Sequence, residues 1–168
     1  QSSQIDQPRV LNLFGYSGIA SLDAAIAGAS VTHIDASKKA INLAFENRNR
    51  NNLESLPIRY LVEDAVSFVK KEINRKKKYD WIILDPPKYG RGPNGEIWKI
   101  EENLLDLMLQ IKEILSENPL FLVITSYAIR SSHISLYNLL RSSLNFEYGK
   151  YSSGELGIRE SGKKRRVL

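Results

Sequence analysis

The segment Asp85-Pro86-Pro87-Lys88 contains the residue types that could most directly do chemistry. It follows the apolar run Trp81 to Leu84, which is typical of a buried strand. Because proline has a fixed φ and no N–H, the two prolines predict a stiff turn. Their carbonyls would be open to a hydrogen bond from an amino group or a ring nitrogen. Tyr89 could stack on a base, and Lys88 could contact a phosphate or polarise a base oxygen. A plain rigid turn is the alternative interpretation.

A second group of residues indicates a nucleoside-type cofactor. Phe14-Gly15-Tyr16-Ser17-Gly18 follows the first apolar run, and its glycines allow the backbone to approach a ligand closely. Asp35 ends the second apolar run, 20 residues beyond Gly15, where a carboxylate can accept both hydroxyl hydrogens of a ribose. The alternative is a structural turn together with an N-capping aspartate.

Glu63-Asp64-Ala65 ends a third apolar run. An acidic group at this point can hydrogen-bond an adenine amino group, and Asp64 is also a suitable N-cap for a following helix. The two roles are compatible, and the sequence leaves both open.

These segments follow short apolar runs that alternate with helical patterns. The predicted strands are Val10 to Phe14, Val31 to Asp35, Ile58 to Val62, Trp81 to Leu84, Leu120 to Ile124 and a sixth near Phe146 to Tyr151. The alternation predicts an α/β fold, a Rossmann-like, doubly wound and mostly parallel sheet of six to seven strands with helices on both faces. Ligands of such sheets bind beyond the carboxyl ends of the strands.

Two local features complete the predicted fold. The first helix is expected to bury Ile19, Leu22 and Ile26 on one face. Glycines and a proline between Lys88 and Gly95 predict a loop after the fourth strand rather than an immediate helix.

Composition bounds the class of protein. With 168 residues, 42% hydrophobic and 26% charged, the chain is expected to form one domain, residues 1–168, that is neither disordered nor membrane-spanning. No apolar run approaches the roughly 20 residues of a spanning helix, and no signal sequence is recognisable, so we expect a cytoplasmic location. The chain starts on Gln1 and ends just after a basic run, and we expect it to be a fragment of a longer chain.

Four of these segments resemble the successive motifs of class I S-adenosylmethionine-dependent ribosomal RNA methyltransferases. They are Val10 to Gly18, Asp35-Ala36-Ser37, Glu63-Asp64-Ala65 and Asp85-Pro86-Pro87-Lys88. The resemblance covers about Arg9 to Leu168 and implies S-adenosyl-L-methionine as cofactor and RNA, in particular ribosomal RNA, as partner.

The resemblance also implies a role for each motif. The methionine portion of the cofactor would lie against the strand-one residues Asn12, Phe14, Gly15, Tyr16, Ser17 and Gly18. Asp35 with Ala36 and Ser37 would bind the ribose, and Asp64 with Ala65 would approach the adenine. Asp85, Pro86, Pro87 and Lys88 would face the target base.

The chain has no cysteine, and this absence limits which atoms of a base could accept a methyl group. Related enzymes that methylate C5 of cytosine need a thiolate to attack the ring, and the corresponding segment here reads Thr125-Ser126-Tyr127. A base nitrogen, which is already nucleophilic, is therefore the predicted methyl acceptor. Such a transfer needs mainly alignment, and we expect no metal. His33 and His133 are isolated in the sequence and are expected to be structural.

Basic residues are the candidates for contacts with RNA, which a net charge of +5 favours. Those expected near the active end of the sheet are Lys88, Arg91, Lys99, Arg130 and the run Lys163 to Arg166. The predicted substrate-binding residues are Tyr89, Arg91 and Arg130. The cluster Lys70-Lys71 and Arg75 to Lys78 is expected at the opposite end as a solvated surface.

Two other classes of protein remain open. A nicotinamide-dependent oxidoreductase would share the strand-one turn and Asp35, but it would not explain Asp85-Pro86-Pro87-Lys88. A non-catalytic RNA-binding or assembly module could keep the same fold without turnover. The sequence makes no prediction of the oligomeric state.

Overall fold

The computed structural model describes residues 7–127, 132–145, 149–155, 158–159 and 166–167. The chain forms two compact units, Gln1–Ala128 and Ile129–Leu168. The elements in chain order are β1 (Arg9–Leu13), α1 (Ile19–Ile26), β2 (Ser30–Asp35), α2 (Lys38–Arg50), β3 (Ile58–Val62), α3 (Ala65–Asn74), β4 (Trp81–Leu84), β5 (Tyr89–Arg91), β6 (Ile97–Lys99), α4 (Ile100–Ile114), β7 (Phe121–Ile124), α5 (His133–Leu144), β8 (Ile158–Arg159) and β9 (Arg166–Val167).

The first unit is built on a parallel sheet with the strand order β3-β2-β1-β4-β7. The direction of strand addition reverses after β3. Because parallel crossovers are right-handed, α1 and α2 cover one face of the sheet, and α3 and α4 cover the other. The observed packing of α1 on α2 and of α3 on α4 agrees with this arrangement. The α/β doubly wound fold class predicted from the sequence is confirmed.

The central strands are buried on both faces, which explains their continuous apolar sequences. Val10, Leu11 and Leu13 of β1 and Ile82 and Leu84 of β4 are fully buried. The sheet holds five strands in the described part of the chain, against the six to seven predicted. The predicted strand near 146–151 lies partly outside the described residues, and 149–151 are not in a strand.

Helix α1 buries a different face from the one predicted. Ile19 and Ile26 are exposed, and only Leu22 of the predicted stripe is buried. Ala24 and Ala25 pack in a cluster with Val10 and Val31 instead. Small side chains let the helix backbone lie close to the sheet, and this packing outweighs the burial of the two isoleucines.

The segment after β4 also differs from the predicted loop. It contains an antiparallel hairpin in which β5 pairs with β6, with Tyr89 opposite Lys99 and Arg91 opposite Ile97. Gly95 lies in the left-handed region at φ 92°, as a tight turn requires. Trp98 is buried against Phe14, and this contact holds the hairpin against the rest of the first unit.

The described part of the second unit contains α5 and the β8–β9 pair. Ser132 caps α5, because its side chain accepts a hydrogen bond from the backbone N–H of Ser135 at 3.3 Å. No helix within the described ranges is both long enough and apolar enough to cross a lipid bilayer.

Candidate active site

A cavity of about 330 Å³ opens at the carboxyl ends of the strands of the first unit. Its size lies in the range of small-molecule sites, and its position is the one that ligands of doubly wound sheets occupy. The predicted residues that line the cavity are Phe14, Tyr16, Asp35, Ala36, Ser37, Asp64, Ala65, Asp85, Pro87 and Arg91. The other residues that line it are Ile34, Glu63, Gly90, Gly92, Trp98 and Tyr127.

The loop after β1 is held in an unusual backbone conformation. Phe14 and Tyr16 have positive φ values of 59° and 45°, a region that costs a non-glycine residue about 1–2 kcal/mol. Such conformations persist where surrounding contacts enforce them, and they cluster at ligand sites. Here the backbone N–H of Gly15 donates to the carbonyl of Ile34 at 3.0 Å, and Asn47 donates to the carbonyl of Ser17 at 2.9 Å.

A buried polar chain lies beneath this loop. The amide of Asn12 donates to Ser21 at 2.9 Å, and the Ser21 hydroxyl lies 2.9 Å from Nδ1 of His33. His33 is fully buried, and burial lowers the pKa of its imidazole to about 4, so the ring is neutral at pH 7. The ring leaves no room for a side chain at Gly15, where an added Cβ would lie 2.3 Å from Cε1 of His33.

His33 is fully buried in the first unit, which agrees with a structural role. Its Nε2 has no hydrogen-bond partner among the described residues. Across the described ranges, no three His, Asp, Glu or Cys side chains come together as a metal site would require.

Asp35 ties the ends of β1 and β2 together. Its Oδ2 accepts the backbone N–H of Tyr16 at 3.0 Å, and its Oδ1 accepts that of Ser37 at 2.8 Å. Ser37, and not Asp35, is the N-cap of α2, since its side chain accepts from Ala40 at 3.3 Å. A carboxylate has about four acceptor positions, so two remain on Asp35 for hydroxyl groups of a ligand in the cavity.

Asp64 combines a structural contact with a place on the cavity wall. It is the N-cap of α3, and its Oδ2 accepts the backbone N–H of Ser67 at 2.8 Å. It is nearly buried, and both Asp64 and Glu63 line the cavity. The N-cap role is thus observed, and the contact to adenine stays a prediction.

The Asp85-Pro86-Pro87-Lys88 turn is fixed by two side chains from elsewhere in the chain. The hydroxyl of Thr125, which follows β7, donates to Oδ1 of Asp85. The indole Nε1 of Trp98 donates to the carbonyl of Pro87 at 2.8 Å. One of the two carbonyls that the sequence predicted to be open therefore already has a donor. No described residue donates to the carbonyl of Pro86.

The predicted residues that do not line the cavity are Asn12, Gly15, Ser17, Gly18, Pro86, Lys88 and Tyr89. Asn12 is buried in the polar chain with Ser21, and Gly18 is the N-cap of α1 in the left-handed conformation. Lys88 and Tyr89 are exposed at the start of the hairpin. Arg130 and most of the run 163–166 lie outside the described residues.

The basic residues divide between the two ends of the sheet. Arg91 reaches the cavity, and Lys99 pairs with Glu102 at 2.8 Å. The run 75–78 precedes β4 and lies at the opposite end of the sheet from the cavity, as predicted. There Arg75 pairs with Glu72, and Lys78 donates to the carbonyl of Glu113. The prediction was wrong for Lys71 of the same cluster, because Lys71 pairs with Glu63, which lines the cavity.

Sequence reasoning missed Trp98, and it named Thr125 and Tyr127 only as part of the segment that stands where related enzymes have a cysteine. The pair Ile97-Trp98 after Gly95 was an available strand signal, because apolar residues next to a turn glycine are typical of a hairpin. Thr125 and Tyr127 follow the fifth predicted strand, but the sequence does not indicate that Thr125 bonds to Asp85 or that Tyr127 lines the cavity, because both depend on the pairing of β7 with β4.

The strand order, the cavity at the carboxyl ends of the strands and the carboxylates around it define a Rossmann-like fold of the type found in S-adenosylmethionine-dependent methyltransferases. Solved structures agree. The SAM-dependent methyltransferase from Agrobacterium tumefaciens is 50% identical, with a TM-score of 0.81 over 82% of this chain and 44% of that protein. A protein crystallised in complex with SAH is 29% identical, with a TM-score of 0.73 over 85% of this chain and 37% of its own.

Residues 1–139 match the family described as Conserved hypothetical protein 95, and the chain belongs to that family. Among curated relatives, ribosomal RNA large subunit methyltransferase K/L of Shewanella frigidimarina is 37% identical over 111 residues. The match covers 65% of this chain and 15% of that relative, so the chain spans a small part of its length. The resemblance inferred from the four motifs is confirmed.

Proposed function

We propose that this chain is the catalytic core of an S-adenosylmethionine-dependent methyltransferase that methylates a base nitrogen of ribosomal RNA. The observation that carries the proposal is one cavity lined by carboxylates from the carboxyl ends of three strands of the sheet, Asp35 at the end of β2, Asp64 after β3 and Asp85 after β4. We assign residues 1–168 to one methyltransferase domain that acts in the cytoplasm, where ribosomal RNA functions.

The cavity suits the cofactor in size and in chemistry. Asp35 would bind the ribose hydroxyls through its two remaining acceptor positions, with Ala36 and Ser37 beside it. Asp64 and Ala65 would lie at the adenine, and the loop from Asn12 to Gly18 would hold the methionine portion. When bound, S-adenosylmethionine supplies a methyl group on a positively charged sulfur.

The acceptor side of the site would consist of Asp85, Pro86, Pro87 and Lys88. Oδ2 of Asp85 and the carbonyl of Pro86 are hydrogen-bond acceptors that no described residue occupies. Asp85 lines the cavity, and its Oδ2 would orient an N–H of the target base, so that the lone pair of the nitrogen faces the methyl group. The absence of cysteine from the chain supports a nitrogen acceptor, because attack through carbon C5 needs a thiolate.

Several observations support RNA as the substrate. Arg91 at the cavity is exposed and has no ion-pair partner among the described residues, and Lys88 and Tyr89 are exposed next to it. These groups, with Arg130, would contact phosphates and bases. The curated relatives carry the name ribosomal RNA large subunit methyltransferase, which supports ribosomal RNA in particular.

Titration calorimetry with S-adenosylhomocysteine tests the cofactor part of the proposal. Asp35→Ala removes acceptors for two hydroxyls and is expected to raise the dissociation constant by about tenfold or more. Asp23→Ala is the matched control, because Asp23 is exposed on α1 away from the cavity, and it should bind as the wild type does. A folded wild type that fails to bind S-adenosylhomocysteine, or that binds a nicotinamide dinucleotide instead, refutes this assignment.

Transfer of tritiated methyl groups to ribosomal RNA from cells that lack the gene tests the activity. We expect Asp85→Ala to lose transfer while S-adenosylhomocysteine affinity stays within about twofold of wild type. An equal loss of both would assign Asp85 to the cofactor. If the wild type shifts RNA in a gel but leaves it unlabelled, the chain is a binding module and not an enzyme.

A further inference from the structure

Four aromatic side chains line the cavity, but two of them are committed to packing. Trp98 is 3% exposed, and its ring lies 4.9 Å from that of Phe14. The Trp98 indole also donates to the carbonyl of Pro87. The rings of Phe14 and Trp98 therefore hold the β5–β6 hairpin in place and are not free to receive a ligand ring.

The remaining two, Tyr16 and Tyr127, are 65% and 58% exposed and follow β1 and β7, the two strands that flank β4. Tyr16 belongs to the loop after β1, and its backbone N–H is bound to Asp35 on the cofactor side. Tyr127 lies two residues beyond Thr125, whose hydroxyl is bound to Asp85 on the acceptor side.

Tyr127 has no ring contact and no hydrogen-bond partner among the residues that the structure describes. An aromatic side chain that is largely exposed and unpartnered at a cavity wall is a suitable surface for a second planar ring. A base that is methylated within structured RNA must leave its stack, and a new stacking partner in the protein offsets part of that cost.

We propose that Tyr127 stacks on the base that is methylated and thereby positions it against Asp85. The inference rests on the proposed function and goes beyond it, since it assigns the acceptor site to a single unstacked nucleotide and names the side chain that receives it. Tyr89, which the sequence analysis put forward for stacking, does not line the cavity and is better placed to contact a neighbouring nucleotide.

The test measures methyl transfer to ribosomal RNA from cells that lack the gene, with the full chain and three variants. Tyr127→Leu removes the ring and is expected to raise the KM for RNA by about tenfold or more, because one base stack is lost. Tyr127→Phe and Tyr127→Trp keep a ring and should stay within about threefold of wild type. Phe45→Leu, which removes an exposed aromatic ring from α2, is the matched control and should leave the KM unchanged.

Each outcome decides between the possibilities. Unchanged kinetics in Tyr127→Leu overturns the proposal, and so does an equal loss in Tyr127→Phe, which would point to the hydroxyl. A parallel loss of S-adenosylhomocysteine affinity would place Tyr127 on the cofactor side and would also overturn it. If the wild type labels no RNA, the proposed function itself is wrong. If the wild type is active and only the Tyr127 pattern is absent, the proposed function stands and this inference fails.

Discussion

Gly15 is the position where one added methyl group should disturb both the fold and the cofactor loop. A Cβ at this position would lie 2.3 Å from Cε1, 2.5 Å from Nδ1 and 2.9 Å from Nε2 of the His33 ring. Non-bonded carbon atoms prefer separations of about 3.5–4.0 Å, so the ring or the loop must move by roughly 1 Å. His33 is fully buried on β2, between Asn12 of β1 and Tyr60 of β3, and is bonded to Ser21.

The loop is therefore the part that should yield in Gly15→Ala. Its movement weakens the hydrogen bonds of Gly15 to Ile34 and of Tyr16 to Asp35, which are 3.0 Å each. Overpacking of this kind costs about 1–3 kcal/mol. For a chain of this size that cost corresponds to a fall in Tm of roughly 3–10 °C. Affinity for S-adenosylhomocysteine should fall as well, because the displaced loop includes the Asp35 contact.

A double-mutant cycle measured by urea unfolding checks this reasoning. His33→Ala removes the clashing ring, so Gly15→Ala should cost at least about 1 kcal/mol less in that background than in wild type. Gly154→Ala is the control, because a Cβ there meets none of the described residues within 4 Å, and it should be neutral. The reasoning is wrong if Gly15→Ala stays within about 0.5 kcal/mol of wild type, or if the two substitutions are additive.

Three further predictions concern the described contacts. Burial lowers the pKa of His33 from 6.5 to about 4, so between these values the unfolded chain binds a proton that the folded chain does not. Stability should accordingly be lost as the pH falls from 6.5 towards 4, by up to roughly 3 kcal/mol, and urea unfolding of His33→Gln across this window should lack that component. Tyr79→Phe removes the hydroxyl that donates to the buried carboxylate of Glu72 at 2.7 Å, and unfolding should show a loss of about 1–3 kcal/mol; no loss would mean that Arg75 alone satisfies Glu72. Trp98→Phe keeps an aromatic ring beside Phe14 but removes the donor to the carbonyl of Pro87, so methyl transfer should fall by about two- to tenfold with cofactor affinity unchanged, whereas full activity would show that this bond does not hold the acceptor turn.

The strands were predictable because a buried parallel strand is apolar on both faces. The predicted strands Val10 to Phe14 and Trp81 to Leu84 correspond to β1 and β4 with boundaries shifted by at most one residue. The ligand-end carboxylates were predictable for the same reason, since topology brings the carboxyl ends of parallel strands to one edge. Asp35, Asp64 and Asp85 accordingly line one cavity.

The buried face of α1 and the hairpin after β4 were not predictable in the same way. A helix of eight residues presents Ile19 and Ile26 on one side and Ala24 and Ala25 on another, and only the distance to the sheet decides which side is buried. The hairpin likewise depends on a buried site for Trp98, which residues far along the chain create.

The Asp85-Pro86-Pro87-Lys88 turn combines features that the sequence predicts with features that depend on packing. Its rigidity and its place at the ligand end of the sheet followed from the two prolines and from the apolar strand before them. Which acceptors of the turn remain open is visible only in the folded chain, because Trp98 donates to the carbonyl of Pro87 and Thr125 donates to Oδ1 of Asp85. Those donors stand 11 and 40 residues away along the chain, and a hydrogen bond depends on distances in space that only the packing of β4, β7 and the hairpin brings about.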